Sequence, residues 1–287
     1  MTYRIGYLGP AATFTNAAVK RFFGGEESIP YATIPDCMDA VAAREIDYAV
    51  VPLENAIEGS VNITIDYLVH EQPLAIVGEI ILPIQQHLLV HPEHAEVWRQ
   101  VTRVCSHPHA IAQCHRFLNQ YLRGVPVEDA TSTSAAARLV KEHPEERIAA
   151  IANETAAEAY GLTIVHRDIH THQNNHTRFI ILHNDAGVSL PYEEPERGMK
   201  TTLMVTLPAD HPGALYQVLS AFAWRKLNLS KIESRPMKTG LGNYFFLIDV
   251  EGAYDGVMLP GAKQELEALG CSVTLLGSYP CYSLKRE

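Results

Sequence analysis

The sequence predicts an α/β protein in two parts: an open α/β part over residues 1–183 and a ferredoxin-like βαββαβ part over 200–287. Three observations carry this. Short apolar runs alternate with amphipathic helical stretches through the first part, the pattern of a mainly parallel sheet flanked by helices. Residues 184–199 break that alternation with Pro191, Pro195, Glu193, Glu194 and Glu196, a composition that suits an exposed linker. Beyond it the signals follow the order strand, helix, strand, strand, helix, strand.

The elements follow in chain order. Residues 4–8 read as a strand and 13–23 as the helix after it; 48–51 and 61–69 repeat the pair. The same alternation gives 101–105 with 107–121, 125–127 with 133–141, and 148–151 with 154–160. The long apolar stretch 74–90 is a candidate crossing between lobes. Ile180-Ile181-Leu182 reads as a buried strand, with Thr177-Arg178-Phe179 at its mouth behind Asn174-Asn175-His176. In the second part, 201–207, 229–237, 244–250 and 272–276 read as strands, and 213–226 and 259–269 as helices. Gly240-Leu241-Gly242-Asn243 is a hairpin turn signal.

Composition narrows the function classes. A hydrophobic fraction of 47% and a charged fraction of 20% over 287 residues are those of a globular protein. No apolar run reaches membrane-spanning length, and the first residues lack the basic start and apolar run of a signal peptide. The five cysteines are scattered and form no CxxC pair, so reduced thiols in a cytoplasmic protein are expected. A net charge of -10 argues against nucleic acid as a partner. For an anionic ligand, the positive field must be built locally.

Helix starts supply such a field. Small polar residues stand at several strand-to-helix junctions: Thr13 and Thr15 in 9–15, Ser106 before His107-Pro108, Ser132 and Thr133 in 131–134, and Asn153 before Glu154-Thr155. Each could simply cap its helix. In an open α/β fold, however, such junctions share one edge and converge on a crevice. The loop after Val51-Pro52-Leu53 adds Glu54, Asn55, Glu58 and Ser60; Glu54 and Asn55 are expected to face that crevice. His166, His170, His172 and His176 crowd one loop, but no cysteine or glutamate completes a metal-binding spacing, so no metal is expected. Cys105 and Cys114 are read as buried and inert.

These motifs, in this order and spacing, resemble prephenate dehydratase over almost the full length. They are 9–15, 51–61, 106–114, 132–136 and 175–179. The C-terminal part resembles an ACT domain of the same family through Asp210-His211-Pro212-Gly213-Ala214-Leu215 and 228–236. Ala12, Ala56 and His109 depart from the usual pattern, where Gly, Ser or Thr, and Gln are common. The resemblance implies a two-lobed, periplasmic-binding-protein-like catalytic domain with the substrate in the cleft. It implies decarboxylation and dehydration of prephenate to phenylpyruvate without metal or organic cofactor, and feedback inhibition by L-phenylalanine at ACT domains paired in a homodimer or homotetramer. No membrane association is expected, nor a chorismate-mutase fusion.

Carried onto this sequence, Thr177 is the expected hydrogen-bond or proton donor to the departing hydroxyl, with Arg178 gripping the pyruvyl carboxylate. Asn55 and Gln113 orient the substrate, and Glu54 gives positioning or acid support. Phe179, Ser106, Ser132, Thr133, Thr13 and Thr15 complete the substrate site. The effector site is expected at Gly213, Ala214, Leu215, Asn228, Leu229, Ser230, Glu233 and Ser234, with Gly213 allowing close approach of a ligand. Arogenate dehydratase, acting on the amino-acid analogue, and a non-catalytic amino-acid-binding sensor are the competing readings.

Overall fold

The computed structural model describes residues 2–190, 195, 197–209, 211–238 and 244–285. The expected turn Gly240-Leu241-Gly242-Asn243, most of the linker's proline and glutamate residues, and Asp210 lie outside these residues. The chain divides into two compact units, Met1–Pro73 with Ile80–Ile180 and Leu284–Glu287, and Leu74–Glu79 with Ile181–Ser283.

Strands covered on both faces are apolar throughout instead of alternating. In the first unit this marks the central strand of each of two sheets. The elements run β1 (Arg4–Leu8), α1 (Phe14–Phe23), β2 (Glu27–Tyr31), α2 (Ile34–Ala42), β3 (Tyr48–Asn55), β4 (Gly59–Ser60), α3 (Asn62–His70) and β5 (Ala75–Pro83). Next come β6 (His87–Val90), a 3₁₀ segment (Pro92–Gln100), β7 (Arg103–Ser106), α4 (Pro108–Gln113), α5 (His115–Tyr121), β8 (Val127–Asp129) and α6 (Thr133–Glu142). Then follow β9 (Ile148–Ala152), α7 (Glu154–Tyr160), β10 (Thr163–His166) and β11 (His176–His183).

One sheet has the order β5-β11-β3-β1-β2, with β4 beside β3; the other has β10-β6-β9-β7-β8. β1 runs parallel to β2 and β3, and β7 parallel to β8 and β9. The second sheet is mixed, because β6 lies antiparallel to both β9 and β10. The first unit thus has the two sheet-centred lobes of the periplasmic-binding-protein-like arrangement. β9 is wholly buried, with Leu88, Val104 and Ile151 packed on one face and Cys105, Ala136 and Ala150 on the other. The expected helix 107–121 is broken at Cys114, whose φ of -105° and ψ of 6° leave helical geometry. The stretch 74–90 forms two strands, and β2, α2 and β10 come in addition to the expected elements.

In the second unit, β12 (Met199–Thr206), α8 (Ala214–Ala223), β13 (Leu229–Pro236), β14 (Tyr244–Glu251), α9 (Met258–Ala268) and β15 (Ser272–Ser283) form the ferredoxin-like βαββαβ fold. The strands lie in the order β13-β14-β12-β15 with antiparallel neighbours. α8 and α9 bury Val218, Phe222, Leu259 and Leu266 against Leu203, Phe246 and Ile248. β15 is longer than the expected 272–276 and continues beside residues 74–79 of β5. There Gly277 lies so close to the Ile76 carbonyl that any Cβ would fall on it. The buried Glu79 accepts from Lys200 Nζ at 2.7 Å, tying this segment to β12. Among the described residues no helix is long and apolar enough to cross a membrane.

Candidate active site

Strand ends and helix starts share one edge of an open α/β sheet. In the first unit those edges, from both sheets, line a cavity of about 810 Å³. Thr13 caps α1 by accepting from Asn16 N at 3.3 Å, and Ser132 caps α6 by accepting from Ala135 N at 2.9 Å. The His107 ring caps α4 by accepting from His109 N at 3.4 Å. Thr13, Thr15, Ser132 and Thr133 all line the cavity, as does His107. Ser134 Oγ donates to the Ala11 carbonyl and so holds the start of α6 against the loop before α1. Ala12 in that loop has φ 64°, the left-handed region where glycine is sterically freer.

No lysine or arginine stands among the described residues lining the cavity. Positive potential there comes from first-turn N–H groups that have no partner within their helices. An acidic chain can hold a carboxylate this way. Burial holds the His107 imidazole below its usual range, and its neighbour His109 adds to the effect. A neutral ring suits its role as acceptor in the α4 cap.

Thr177 stands at the centre of an amide network. Asn55 Oδ1 accepts from the backbone N–H groups of Ile57 at 2.9 Å and Glu58 at 3.0 Å. That fixes which end of the amide is oxygen, because only a carbonyl oxygen can take both donors. Asn55 Nδ2 then donates to Thr177 Oγ1 at 2.9 Å and to Asn175 Oδ1 at 2.9 Å. Asn175 Nδ2 donates to Gln113 Oε1 at 3.2 Å, and Gln113 Nε2 donates to Glu58 Oε1 at 3.3 Å. Glu58 Oε2 lies 3.4 Å from His109 Nδ1. Since Thr177 accepts from Asn55, its own hydroxyl proton remains for a ligand in the cavity. Phe179, one strand period on and 1% exposed, supplies an apolar wall on the same side.

Three expected groups stand elsewhere. Arg178 lies between Thr177 and Phe179, so strand alternation turns it to the opposite face. There its Nη1 meets Glu54 Oε2 at 2.6 Å, and neither side chain is part of the cavity lining. Glu54 is turned away for the same reason, as the neighbour of Asn55 on β3. The expectation that Arg178 grips a carboxylate and that Glu54 faces the cleft is corrected accordingly. Ser106 is fully buried and donates to the Ile151 carbonyl at 2.6 Å, so it ties β7 to β9 beneath the cleft. The Asn153 junction also opens away from the cavity, with Asn153 Oδ1 accepting from Ala156 N at 2.7 Å.

Cys105 and Cys114 are buried, and burial pushes their thiols up to about 11 and about 12. Neither offers a nucleophile. Asn175, Glu58 and Gln86 belong to the site without having been assigned to it from the sequence. Asn175 sits in the quoted motif and Glu58 in the quoted loop, so position pointed to both. Gln86 lies in an apolar run and carries no such signal.

In the second unit, α8 follows Gly213, whose φ of 88° demands glycine, and among the described residues no side chain caps the helix. Apart from its own chain neighbours, no atom of the described residues lies within 4 Å of a Cβ placed there. On β13 the expected effector residues divide by strand alternation. Ser230 and Ser234 are exposed beside Ile232, whereas Leu229 and Glu233 turn inward, Glu233 lying 3.0 Å from Lys231. Leu215 is half-exposed on α8, and Ala214 is buried.

A family model described as prephenate dehydratase matches residues 5–187, and one described as ACT domain matches 201–270. The chain belongs to the prephenate dehydratase family. The prephenate dehydratase of Bacillus subtilis (strain 168) is 60% identical over 284 residues, which cover 98% of this chain and 100% of that protein. Among solved structures, prephenate dehydratase from Arthrobacter aurescens in complex with L-Phe has a TM-score of 0.82 at 36% identity, covering 96% of this chain and 90% of that one. A protein described as GqqA, a novel type of quorum quenching acylase, has a TM-score of 0.84 at 29% identity, covering 97% of this chain and 98% of that one.

Proposed function

We infer that this chain is a prephenate dehydratase, a carbon–oxygen lyase that forms phenylpyruvate, carbon dioxide and water. The observation that carries the reading is the Thr177 hydroxyl at the cavity wall, accepting from Asn55 and so left with its own proton to donate. Prephenate carries two carboxylates and a ring hydroxyl opposite the carboxylate that leaves. As the C–C bond to that carboxylate breaks, its electron pair enters the ring and expels the hydroxyl from the far carbon. The departing oxygen takes up one proton and leaves as water; the ring becomes aromatic.

Thr177 is a weak acid, so its service is a hydrogen bond that strengthens as negative charge grows on the departing oxygen. The Asn55 N–H stabilises the same hydroxyl from behind. Asn175, Gln113 and Glu58 keep that amide aligned; amides orient but do not relay protons. Helix-start N–H groups beside Thr13, Thr15, Ser132 and Thr133 take the pyruvyl carboxylate. A lining without lysine or arginine among the described residues suits the other carboxylate, whose charge must vanish; a tight ion pair would raise the barrier. Phe179 packs on the ring.

Residues 1–183 are read as the catalytic domain, 184–199 as the linker and 200–287 as the ACT regulatory domain. L-phenylalanine is the proposed effector, bound near the start of α8 and the Asn228–Ser230 end of β13, and the second unit pairs with another copy in a homodimer or homotetramer. The exposed Tyr216, Trp224 and Ile232 support such pairing. The enzyme is placed in the cytoplasm, as a pathway enzyme with free, mostly buried cysteines.

The test is ultraviolet detection of phenylpyruvate after adding prephenate, with and without L-phenylalanine, and with arogenate in parallel. Formation of phenylpyruvate that falls when L-phenylalanine is added is the expected result. No turnover of prephenate would overturn the reading, and faster turnover of arogenate would change the substrate.

A further inference from the structure

We propose that Gln86 is a specificity-determining residue of the cleft, whose side-chain amide donates to the oxo oxygen on the side chain of the substrate. The proposal rests on the dehydratase reading and names a contact within it.

Gln86 lies in the short link between β5 and β6. Its backbone is held on both sides: its N–H donates to His170 Nδ1 at 3.3 Å, and its carbonyl accepts from Ile169 N at 2.9 Å. The side chain is 3% exposed and lines the cavity; its buried Oε1 has no hydrogen-bond partner, and among the described residues Nε2 makes no hydrogen bond either. Buried amide ends left unpartnered are rare, and one at the wall of a cavity marks a place for a ligand.

Two comparisons sharpen the point. The adjacent Gln85 is committed elsewhere, with Nε2 donating to Asp168 Oδ1 at 2.9 Å. The other amides lining the cavity, Asn55, Asn175 and Gln113, use both ends within their own network. Among the described lining residues, Gln86 is therefore the amide left for an incoming molecule.

The chemistry of the substrate decides what it recognises. The side chain of prephenate ends in an oxo group and a carboxylate, which only accept hydrogen bonds. Arogenate has an ammonium in place of the oxo group, which only donates. An amide presenting its free Nε2 satisfies the first, and a carboxylate at the same place satisfies the second. A site that hydrogen-bonds one group rejects the analogue lacking it, because its own polar atom is then stranded.

The test compares Gln86→Met and Gln86→Glu with the wild-type chain, measuring kcat and KM on prephenate and on arogenate, and the Tm of each. Gln86→Met, neutral and of similar length, should lower kcat/KM for prephenate about tenfold, mainly through KM, while Tm holds or rises because a stranded polar atom is gone. Gln86→Glu should lower the ratio of kcat/KM on prephenate to that on arogenate by about tenfold or more. If Gln86→Met keeps the wild-type kcat/KM on prephenate, the amide holds only water and the proposal fails, whatever Gln86→Glu does. Failure of the wild-type chain itself to turn over prephenate would instead overturn the dehydratase reading.

Discussion

The cleft of the first unit and the α8–β13 region of the second are both built around helix starts, but they finish them differently. In the cleft, Thr13 and Ser132 cap their helices, and Asn55, Glu58, Gln113 and Asn175, from three stretches of the chain, lock one another into a single orientation. At α8 the helix begins at a left-handed glycine with no side-chain cap among the described residues and with Leu215 half-exposed in its first turn, while β13 leaves Ser230 and Ile232 exposed. A site completed by its own chain is preorganised for chemistry on a fixed geometry. A site left open is suited to be completed by something that comes and goes, as an effector must.

The largest expected effect tests the closed site. Thr177→Ala should lower kcat by about a hundredfold or more with little change in KM, the usual range for a lost proton or hydrogen-bond donor at the reacting atom. Thr177→Ser should keep the rate within about tenfold. Steady-state kinetics on prephenate decide it, and equal losses in the two variants would shift the role from hydroxyl to methyl. Next, Asn55→Ala should cost about tenfold or more in kcat, since one hydrogen bond to the reacting hydroxyl contributes about 1 kcal/mol or somewhat more. A loss confined to KM would break the claim that this amide supports the Thr177 hydroxyl in the chemical step.

Arg178→Leu separates stability from chemistry. It takes the guanidinium away from Glu54, so unfolding by urea should show a loss of about 1–2 kcal/mol for a half-buried pair, with KM within about twofold of wild type. A large rise in KM would put Arg178 back at the anion site. For the open region, Asn228→Ala should raise the L-phenylalanine concentration needed for half inhibition by about tenfold while uninhibited kcat stays the same. It is a cleaner probe than Gly213→Val, which would strain the backbone at φ 88° regardless of any ligand.

The smallest effect concerns acid. Burial holds the His87 imidazole below its usual range, and its Nδ1 accepts from Asp168 N at 3.0 Å. As pH falls through about 6.5, the unfolded chain takes a proton that the folded state resists, so stability drops until the folded imidazole also protonates. The Tm of His87→Asn should fall less than wild type between neutral and mildly acid pH. An identical slope would remove His87 from the balance.

Thr177, Asn55 and Gln113 were legible because each sits at a strand or helix end within a dense motif. Arg178 and Glu54 sit in the same motifs, yet a strand sends consecutive side chains to opposite faces. Proximity in sequence to Thr177 and Asn55 therefore argued for the wrong wall. Ser106 looked like a cap, but its partner, the Ile151 carbonyl, lies in another strand and only the folded sheet reveals it. Gln86 was hidden for a similar reason: its role depends on what it fails to touch. The strand order β13-β14-β12-β15 follows from the βαββαβ reading, whereas β6 lying antiparallel to β9 and β10 depends on a return of the chain that periodicity does not encode.

The orientation of the Asn55 amide also decides what its hydrolysis would cost. Slow hydrolysis of that side chain to aspartate would exchange its only donor for a second acceptor, facing the hydroxyl of Thr177 and the carbonyl of Asn175. The fold would survive, since the oxygen that holds the loop at Ile57 and Glu58 is kept. Stored preparations would then lose turnover in proportion to acid formed at one position, and an Asn55→Asp protein made fresh would begin where the old ones end.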